Sequence, residues 1–152
     1  NLGDGVRAEA KRRNIEPTGD NLGRLMLELR EKNGPGAIAT LLTEPIENSP
    51  SKVIVVDGVR STAEIEVLKN VGSVKLLSID ATSDTRYKFL SSRGRSDDPT
   101  TREKFEERDN RELGVGIGES IAIADETIVN SNITLDELTE LAYKVIEKWI
   151  DT

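Results

Sequence analysis

The stretch Val53-Ile54-Val55-Val56-Asp57-Gly58-Val59-Arg60 decides how the rest of the chain is interpreted. It opens with consecutive β-branched residues without polar alternation, which is typical of a parallel strand with both faces buried. An aspartate and a glycine follow at once, at the strand end where ligands of open α/β sheets bind. The stretch therefore predicts an α/β sheet with a polar edge that begins at Asp57.

Two later apolar runs, at residues 74–79 and 127–129, predict further strands of the same sheet. Segments with helical signals precede and separate the three runs, and this alternation is typical of layered α/β proteins. We therefore predict one domain over residues 1–152, in which helices cover both faces of a parallel sheet. Three strands make a narrow sheet for so much helix.

Apolar spacing defines the helices near the start of the chain. Within residues 4–13, Val6 and Ala10 share one helical face. The next helix is predicted to end at Asn33-Gly34, because glycine readily adopts the left-handed backbone that closes a helix. The inner stripe of that second helix consists of Leu22, Leu25, Met26 and Leu29.

Capping boxes, in which a hydroxyl residue is followed three positions later by glutamate, mark later helices. They begin at Ser61, Thr100 and Thr134, and the helix from Thr100 is predicted to extend to about Leu113. The last helix has the most regular apolar stripe, which we expect to pack into the core. That stripe comprises Leu138, Leu141, Ala142, Val145, Ile146, Trp149 and Ile150.

Composition narrows the chemistry that the chain can perform. Among its 152 residues there is no cysteine or histidine, which excludes disulfides, thiolate nucleophiles, histidine bases and histidine-ligated metals. The 21 basic and 28 acidic residues give a net charge of −7, so we expect no bulk binding of nucleic acid. No apolar run approaches the roughly 20 residues of a membrane span. We expect a cytoplasmic protein without membrane partners.

Arginines near carboxylates are the most informative polar residues. Asp57 and Arg60 follow the first predicted strand, while Asp4 and Arg7 lie one turn apart on the first helix. Arginine keeps its charge at physiological pH and binds phosphate oxygens in pairs. Asp57 is suited to hold the water shell of Mg²⁺. A simple turn that leaves a strand would use the same residues, and this alternative stays open.

Further cations follow the second predicted strand, on two helical faces that flank a glycine-containing turn at residues 93–99. Each of them taken singly could pair with a neighbouring carboxylate such as Glu112. Taken together, they favour a phosphate-binding site. These cations are Arg86, Arg93, Lys104, Arg108 and Arg111.

The glycine-rich run Gly114-x-Gly116-x-Gly118-Glu119-Ser120 does not match a phosphate-binding loop. Glu119 stands where such a loop requires lysine. A flexible loop that closes over a neighbouring site is the remaining functional interpretation of this run.

The combination resembles the nucleoside monophosphate kinase branch of the P-loop NTPases. Within that branch it is most similar to an archaeal family described as adenylate kinase-related or dephospho-CoA kinase-like. The similarity rests on residues 57–60, 93–99 and 107–112, and on Ile123-Ala124-Asp125 before the last strand. It extends over nearly the whole chain.

This resemblance implies a three-layer P-loop fold with a wider parallel sheet. Asn1 and Leu2 would end its second strand, so that the first strand, the phosphate-binding loop and its helix are expected upstream of Asn1. Residues 4–42 would form a helical lobe that binds the phosphoryl acceptor. Residues 93–112 would form a short lid.

The resemblance also implies roles for acidic and basic residues near the acceptor. Asp4, Arg7 and Arg60 would bind the acceptor substrate. Asp57 would act in catalysis by holding Mg²⁺ indirectly, through water.

Four further arginines are implied to contact the donor nucleotide and the transferred phosphate. Arg93 and Arg95 would bind the nucleotide, and Arg95, Arg108 and Arg111 would be catalytic. This set fits the chemistry, because phosphoryl transfer depends on positioning and on neutralising charge.

The implied activity is ATP- and Mg²⁺-dependent phosphoryl transfer to a small phosphate-bearing acceptor, either a nucleoside monophosphate or a precursor of coenzyme A. Two alternatives stay open: an adenylate kinase-like ATPase with an assembly or regulatory role, and a nucleotide-binding module without turnover. Small-molecule nucleotides are the expected ligands in all three.

Overall fold

A computed structural model describes residues 1–151 of the chain. Within these residues no helix is both long enough and apolar enough to cross a bilayer. The elements are, in order, α1 (Leu2–Arg12), α2 (Gly19–Asn33), α3 (Ala37–Glu47), α4 (Thr62–Lys69), β1 (Leu77–Asp80), α5 (Ser83–Arg93), α6 (Arg102–Val115), α7 (Ile117–Ala122), β2 (Glu126–Val129) and α8 (Leu135–Ile150).

The sheet of the described residues consists of β1 and β2, which pair in parallel. Leu77 lies opposite Glu126, and Asp80 lies opposite Val129. A hydrogen bond of 2.6 Å from the Asn130 amide to the Asp80 carbonyl continues the pairing beyond the strands. The α/β class and the parallel arrangement of these two runs are thus confirmed.

The prediction of a strand at residues 53–56 is wrong for the described part of the chain. The segment forms no strand there, and Val55 is 72% exposed. Ile54 and Val74 line the same groove of about 420 Å³, so open space separates this segment from the approach to β1. β-Branched residues favour a pleated surface, but a strand also needs a neighbour to pair its backbone. The sheet of residues 1–151 therefore has two of the three predicted strands.

The apolar core lies mainly among the first four helices. The stripes predicted for α1 and α2 are confirmed, since Val6, Ala10, Leu22, Leu25 and Leu29 are all buried. The prediction that Asn1 and Leu2 end a strand is wrong, because Leu2 is the first residue of α1 and is itself buried. The other buried members of the cluster are Ala37, Ile38, Ala39 and Leu68.

Helix ends follow the capping rules with two local differences. Gly34, with φ +88°, closes α2 as predicted. Helix α6 is capped by Thr101 and not by Thr100, because the Thr101 side chain accepts the hydrogen bond from the Lys104 amide. The cap of α4 is shared differently: Ser61 accepts from the Glu64 amide, but the Glu64 carboxylate accepts from the Arg60 amide at 2.7 Å.

The glycine-rich run is helical over most of its length, so the expectation of a flexible loop is wrong. Helix α6 continues to Val115, beyond the predicted end near Leu113, and α7 begins at Ile117. Gly116, with φ +108°, forms the break between them. A left-handed backbone at this position favours glycine.

Helix α8 has the predicted cap but lacks the predicted burial. Thr134 and Glu137 make both reciprocal bonds of the capping box, which confirms this start. None of the α8 residues is buried, and Leu141 is 43% exposed. The predicted stripe does face inward, but it is only half-buried, because a sheet of two short strands is too narrow to cover a helix of 16 residues. The half-buried residues are Leu138, Ala142, Val145, Ile146 and Trp149.

Thr134→Ala is expected to lower the free energy of unfolding by about 1 kcal/mol, because the α8 cap is lost. Urea unfolding followed by the fluorescence of Trp149, which lies in α8, measures the change. Thr139→Ala is the matched control, since the Thr139 hydroxyl donates to the Leu135 carbonyl within the same helix and caps nothing. Equal losses in the two variants would contradict a capping role for Thr134.

Candidate functional site

A cavity of about 180 Å³ lies where the start of α1, helix α2, the turn after residue 57 and the turn between α5 and α6 meet. Seven arginines and three carboxylates line it, in a chain whose net charge is −7. This volume is below the roughly 300–1,000 Å³ of sites that enclose a whole small molecule. It suits one anionic group of a larger ligand. The charged lining residues are Arg7, Arg30, Arg60, Arg93, Arg95, Arg108, Arg111, Asp57, Asp97 and Glu112.

The cavity brings together most of the site residues expected from the sequence. The residues that share it are Asp57, Arg7, Arg60, Arg93, Arg95, Arg108 and Arg111.

Three of the polar residues singled out in the sequence lie outside the cavity lining. The Asp4 side chain is 69% exposed and pairs with Arg7 at 2.8 Å. Both outer nitrogens of Arg86 donate to Asp109 at 2.6 Å. Lys104 is exposed and pairs with the Glu107 carboxylate. Their charges are therefore used in local ion pairs.

Asp57 is held at the cavity by the start of α1. The Asn1 amide group donates to Asp57 Oδ2 at 3.0 Å, while the Asn1 side-chain oxygen accepts from the Asp4 amide. The Leu2 amide donates to the Asp57 carbonyl at 2.9 Å. Gly58 follows with φ +91°, a conformation that turns the chain sharply here. The carboxylate is thus fixed beside the positive end of α1.

Glu112 lies between two arginines of the cavity. Its Oε1 is 3.0 Å from Arg60 Nε and accepts a hydrogen bond of 3.3 Å from Arg108 Nε. Burial alone would raise the pKa of Glu112, but the charges of Arg60 and Arg108 outweigh burial and lower its pKa below the ordinary 4.5. Glu112 therefore stays ionised and holds both guanidinium groups at the cavity wall.

Glu112→Gln is expected to lower the free energy of unfolding near pH 7 by about 1–3 kcal/mol, the range for hydrogen bonds to charged groups. Because the folded-state pKa is lowered, the stabilisation by Glu112 is fully present above about pH 4.5 and is lost as the pH falls through the folded pKa. Urea unfolding of both proteins at neutral and acidic pH measures this. A difference between them that persists undiminished at about pH 3 would contradict the assignment.

Two aspartates hold the turn between α5 and α6, one by bonds within the turn and the other by a bond to α1. Asp98 accepts from the Arg93 guanidinium and, at 2.8 Å, from the Arg95 amide. Burial raises the pKa of Asp98, but the Arg93 hydrogen bond and the Arg95 amide more than offset it, so that the pKa is lowered. Asp97 accepts from Arg7 Nη2 at 2.8 Å, which ties the turn to α1.

Two arginines of the cavity keep their charge uncompensated. Within residues 1–151, the guanidinium groups of Arg95 and Arg111 form no hydrogen bond and no ion pair. Arg95 is exposed at the rim and Arg111 is half-buried. The other cavity arginines each contact a carboxylate. Two positive groups are therefore available to an incoming anion.

No protein-family model matches the chain. A UPF0200 protein of Methanothrix thermoacetophila is 44% identical over 151 residues, which cover 97% of the chain and 81% of that relative. The chain belongs to the UPF0200 family. A UPF0200 protein of Hyperthermus butylicus is 40% identical over 147 residues, covering 97% of the chain and 78% of that relative. A UPF0200 protein of Pyrococcus abyssi is 43% identical over 136 residues, which cover 86% of the chain and 73% of that relative.

The names of these UPF0200 relatives state no activity. The groups that line the cavity are therefore the guide to what the protein does.

Sequence reasoning missed two charged groups of this UPF0200 site, Arg30 and Asp97. Arg30 donates to Glu64 at 3.0 Å, and its Nε is buried without a hydrogen-bond partner in the described residues. Asp97 Oδ1 is also buried without a partner among these residues. Arg30 follows Leu22 and Met26 on one face of α2, so helical periodicity could have indicated it. Asp97 carried no such signal.

Proposed function

We propose that this UPF0200 protein catalyses ATP-dependent phosphoryl transfer to a small phosphate-bearing acceptor, either a nucleoside monophosphate or a precursor of coenzyme A. One observation carries the proposal. The uncompensated guanidinium groups of Arg95 and Arg111 line the same cavity as the Asp57 carboxylate. Cations without partners, beside a carboxylate suited to a metal–phosphate complex, are the groups that this reaction requires.

The chemistry explains why fixed arginines are suited to this task. In phosphoryl transfer, negative charge is spread over the oxygens of the moving phosphate, and catalysis depends on cations that are already in position. Arg60 and Arg108 are held by Glu112, and Arg7 is held by Asp97. These three guanidinium groups are held in fixed orientations at the cavity surface by their carboxylate partners. The two unpaired arginines give the cavity its excess of positive charge.

Asp57 fits a water-mediated role toward Mg²⁺. Among residues 1–151, no group of three or more acidic residues, histidines or cysteines is arranged to hold a metal ion. Mg²⁺ is commonly bound by one or two carboxylates together with waters and substrate phosphates. Asp97 and Glu112 are paired with arginines, whereas Asp57 accepts from the uncharged amide of Asn1. A bound Mg²⁺ would neutralise charge on the phosphates of the donor.

The test uses the full-length protein with ATP labelled on the γ-phosphate and Mg²⁺. Label is followed into a panel of acceptors, comprising the nucleoside monophosphates and dephospho-coenzyme A, and into free phosphate without acceptor. Transfer to an acceptor is the expected result. Phosphate release alone would favour the ATPase alternative, and saturable ATP binding without either product would favour the binding module. Absence of ATP binding would overturn the proposal.

A further inference from the structure

Arg111 reaches the cavity by lying directly against the backbone of α2. A Cβ atom placed on Gly23 would be 2.1 Å from Arg111 Nη1 and 2.8 Å from Arg111 Cζ. Atoms of two residues that are not bonded do not approach so closely. The guanidinium group therefore occupies the space that any side chain at position 23 would require.

The backbone of α2 does not itself require glycine at this position. Gly23 lies inside the helix and is absent from the glycines with positive φ. Alanine is favoured over glycine inside helices, because glycine loses more conformational freedom. Two other helical glycines differ: a Cβ on Gly5 would meet ordinary contacts of 3.5 Å, and one on Gly114 would meet nothing within 4 Å.

We infer that Gly23 is a positioning residue, whose missing side chain allows Arg111 of α6 to cross α2 and enter the cavity. The inference rests on the proposed function only in giving Arg111 a phosphate to bind. That Gly23 positions Arg111 follows from the close approach of these two residues alone. The atoms that a Cβ would displace belong to the far end of a flexible side chain, so alanine at position 23 moves Arg111 and leaves the helix in place.

The experiment compares Gly23→Ala with Gly114→Ala, which adds the same methyl group to α6 in open space. The first readout is the Nε–Hε resonance of Arg111 in an NMR spectrum, assigned by its loss from Arg111→Ala. We expect this resonance to shift in Gly23→Ala and to stay in place in Gly114→Ala. An unmoved resonance in Gly23→Ala would overturn the inference, whatever the protein binds.

The second readout is the affinity for inorganic pyrophosphate, measured by titration calorimetry. Gly23→Ala is expected to weaken binding about tenfold, as expected when a charged hydrogen bond is lost. The double variant Gly23→Ala/Arg111→Ala should bind pyrophosphate as weakly as Arg111→Ala alone, and no more weakly. Wild-type affinity in Gly23→Ala would overturn the inference. If the wild-type protein binds no pyrophosphate but the resonance shifts, the positioning of Arg111 is supported and the proposed function is what fails.

Discussion

Arg111→Ala in the full-length protein is expected to lower kcat/KM for phosphoryl transfer about 100-fold or more, the loss that follows removal of one pre-positioned charge-stabilising donor. Arg111 is the half-buried member of the two unpaired cavity arginines, and its charge is not neutralised by any described neighbour. Its removal would take positive charge from the place where negative charge would develop in the proposed reaction. Steady-state rates with saturating ATP and varied acceptor measure the effect.

Arg24→Ala provides the control, because it removes an exposed arginine from α2 that bonds to Asn21 and does not line the cavity. Its rates should match those of the wild-type protein. Arg111→Ala should also leave the protein folded, since the guanidinium group makes no ion pair among the described residues and the loss is limited to its packing against α2. Rates in Arg111→Ala equal to those of Arg24→Ala would remove Arg111 from the site.

Glu64→Ala is expected to lower the free energy of unfolding by about 3–5 kcal/mol, the range for breaking a buried ion pair. Glu64 is 1% exposed. One carboxylate oxygen accepts from Arg30 Nη2 at 3.0 Å and the other from the Arg60 amide at 2.7 Å. Alanine would leave a largely buried guanidinium without its counter-ion and a backbone donor without its acceptor.

Urea unfolding at 25 °C and neutral pH measures this loss of stability. Glu66→Ala is the matched control, because Glu66 lies in the same helix, α4. Glu66 pairs with Lys69 at 2.7 Å, but both side chains are exposed. Exposed pairs contribute about 0–1 kcal/mol, so the control should be nearly neutral. Similar losses in the two variants would show that burial does not determine the importance of Glu64.

The helices could be predicted because their signals are local. The apolar stripe of α2 and the glycine that ends it lie within a few turns of each other, and the α8 cap needs only Thr134 and Glu137. The segment 53–56 has an equally clear local pattern, but a strand exists only beside another strand, and none of the described residues pairs with it. Full burial of the α8 stripe depended on that sheet, so most of the stripe is half-buried and none of it is buried.

The candidate site likewise has residues that local sequence signals indicate and contacts that they do not. Asp57 and Arg60 could be singled out because they follow a predicted strand directly, and the turn at residues 93–99 could be singled out because its glycine separates two helices. The Arg7–Asp97 pair and the contact of Arg111 with Gly23 join residues far apart in the chain. No periodicity in a single sequence indicates such contacts.

Two ion pairs join the helical core to the turn before α6 and to α6 itself: Arg7 with Asp97, and Arg60 with Glu112. Salt screens exposed charges far more than shielded ones, and these pairs are shielded: the Asp97 side chain is 11% exposed, and those of Arg60 and Glu112 are 20% exposed. Ionic strength is therefore expected to loosen this joint only slightly. A phosphate-bearing ligand of the proposed kind would contact arginines from both sides of this joint. Such a ligand would add attraction between the two parts of the molecule, and proteolysis would then be slower in its presence than in its absence.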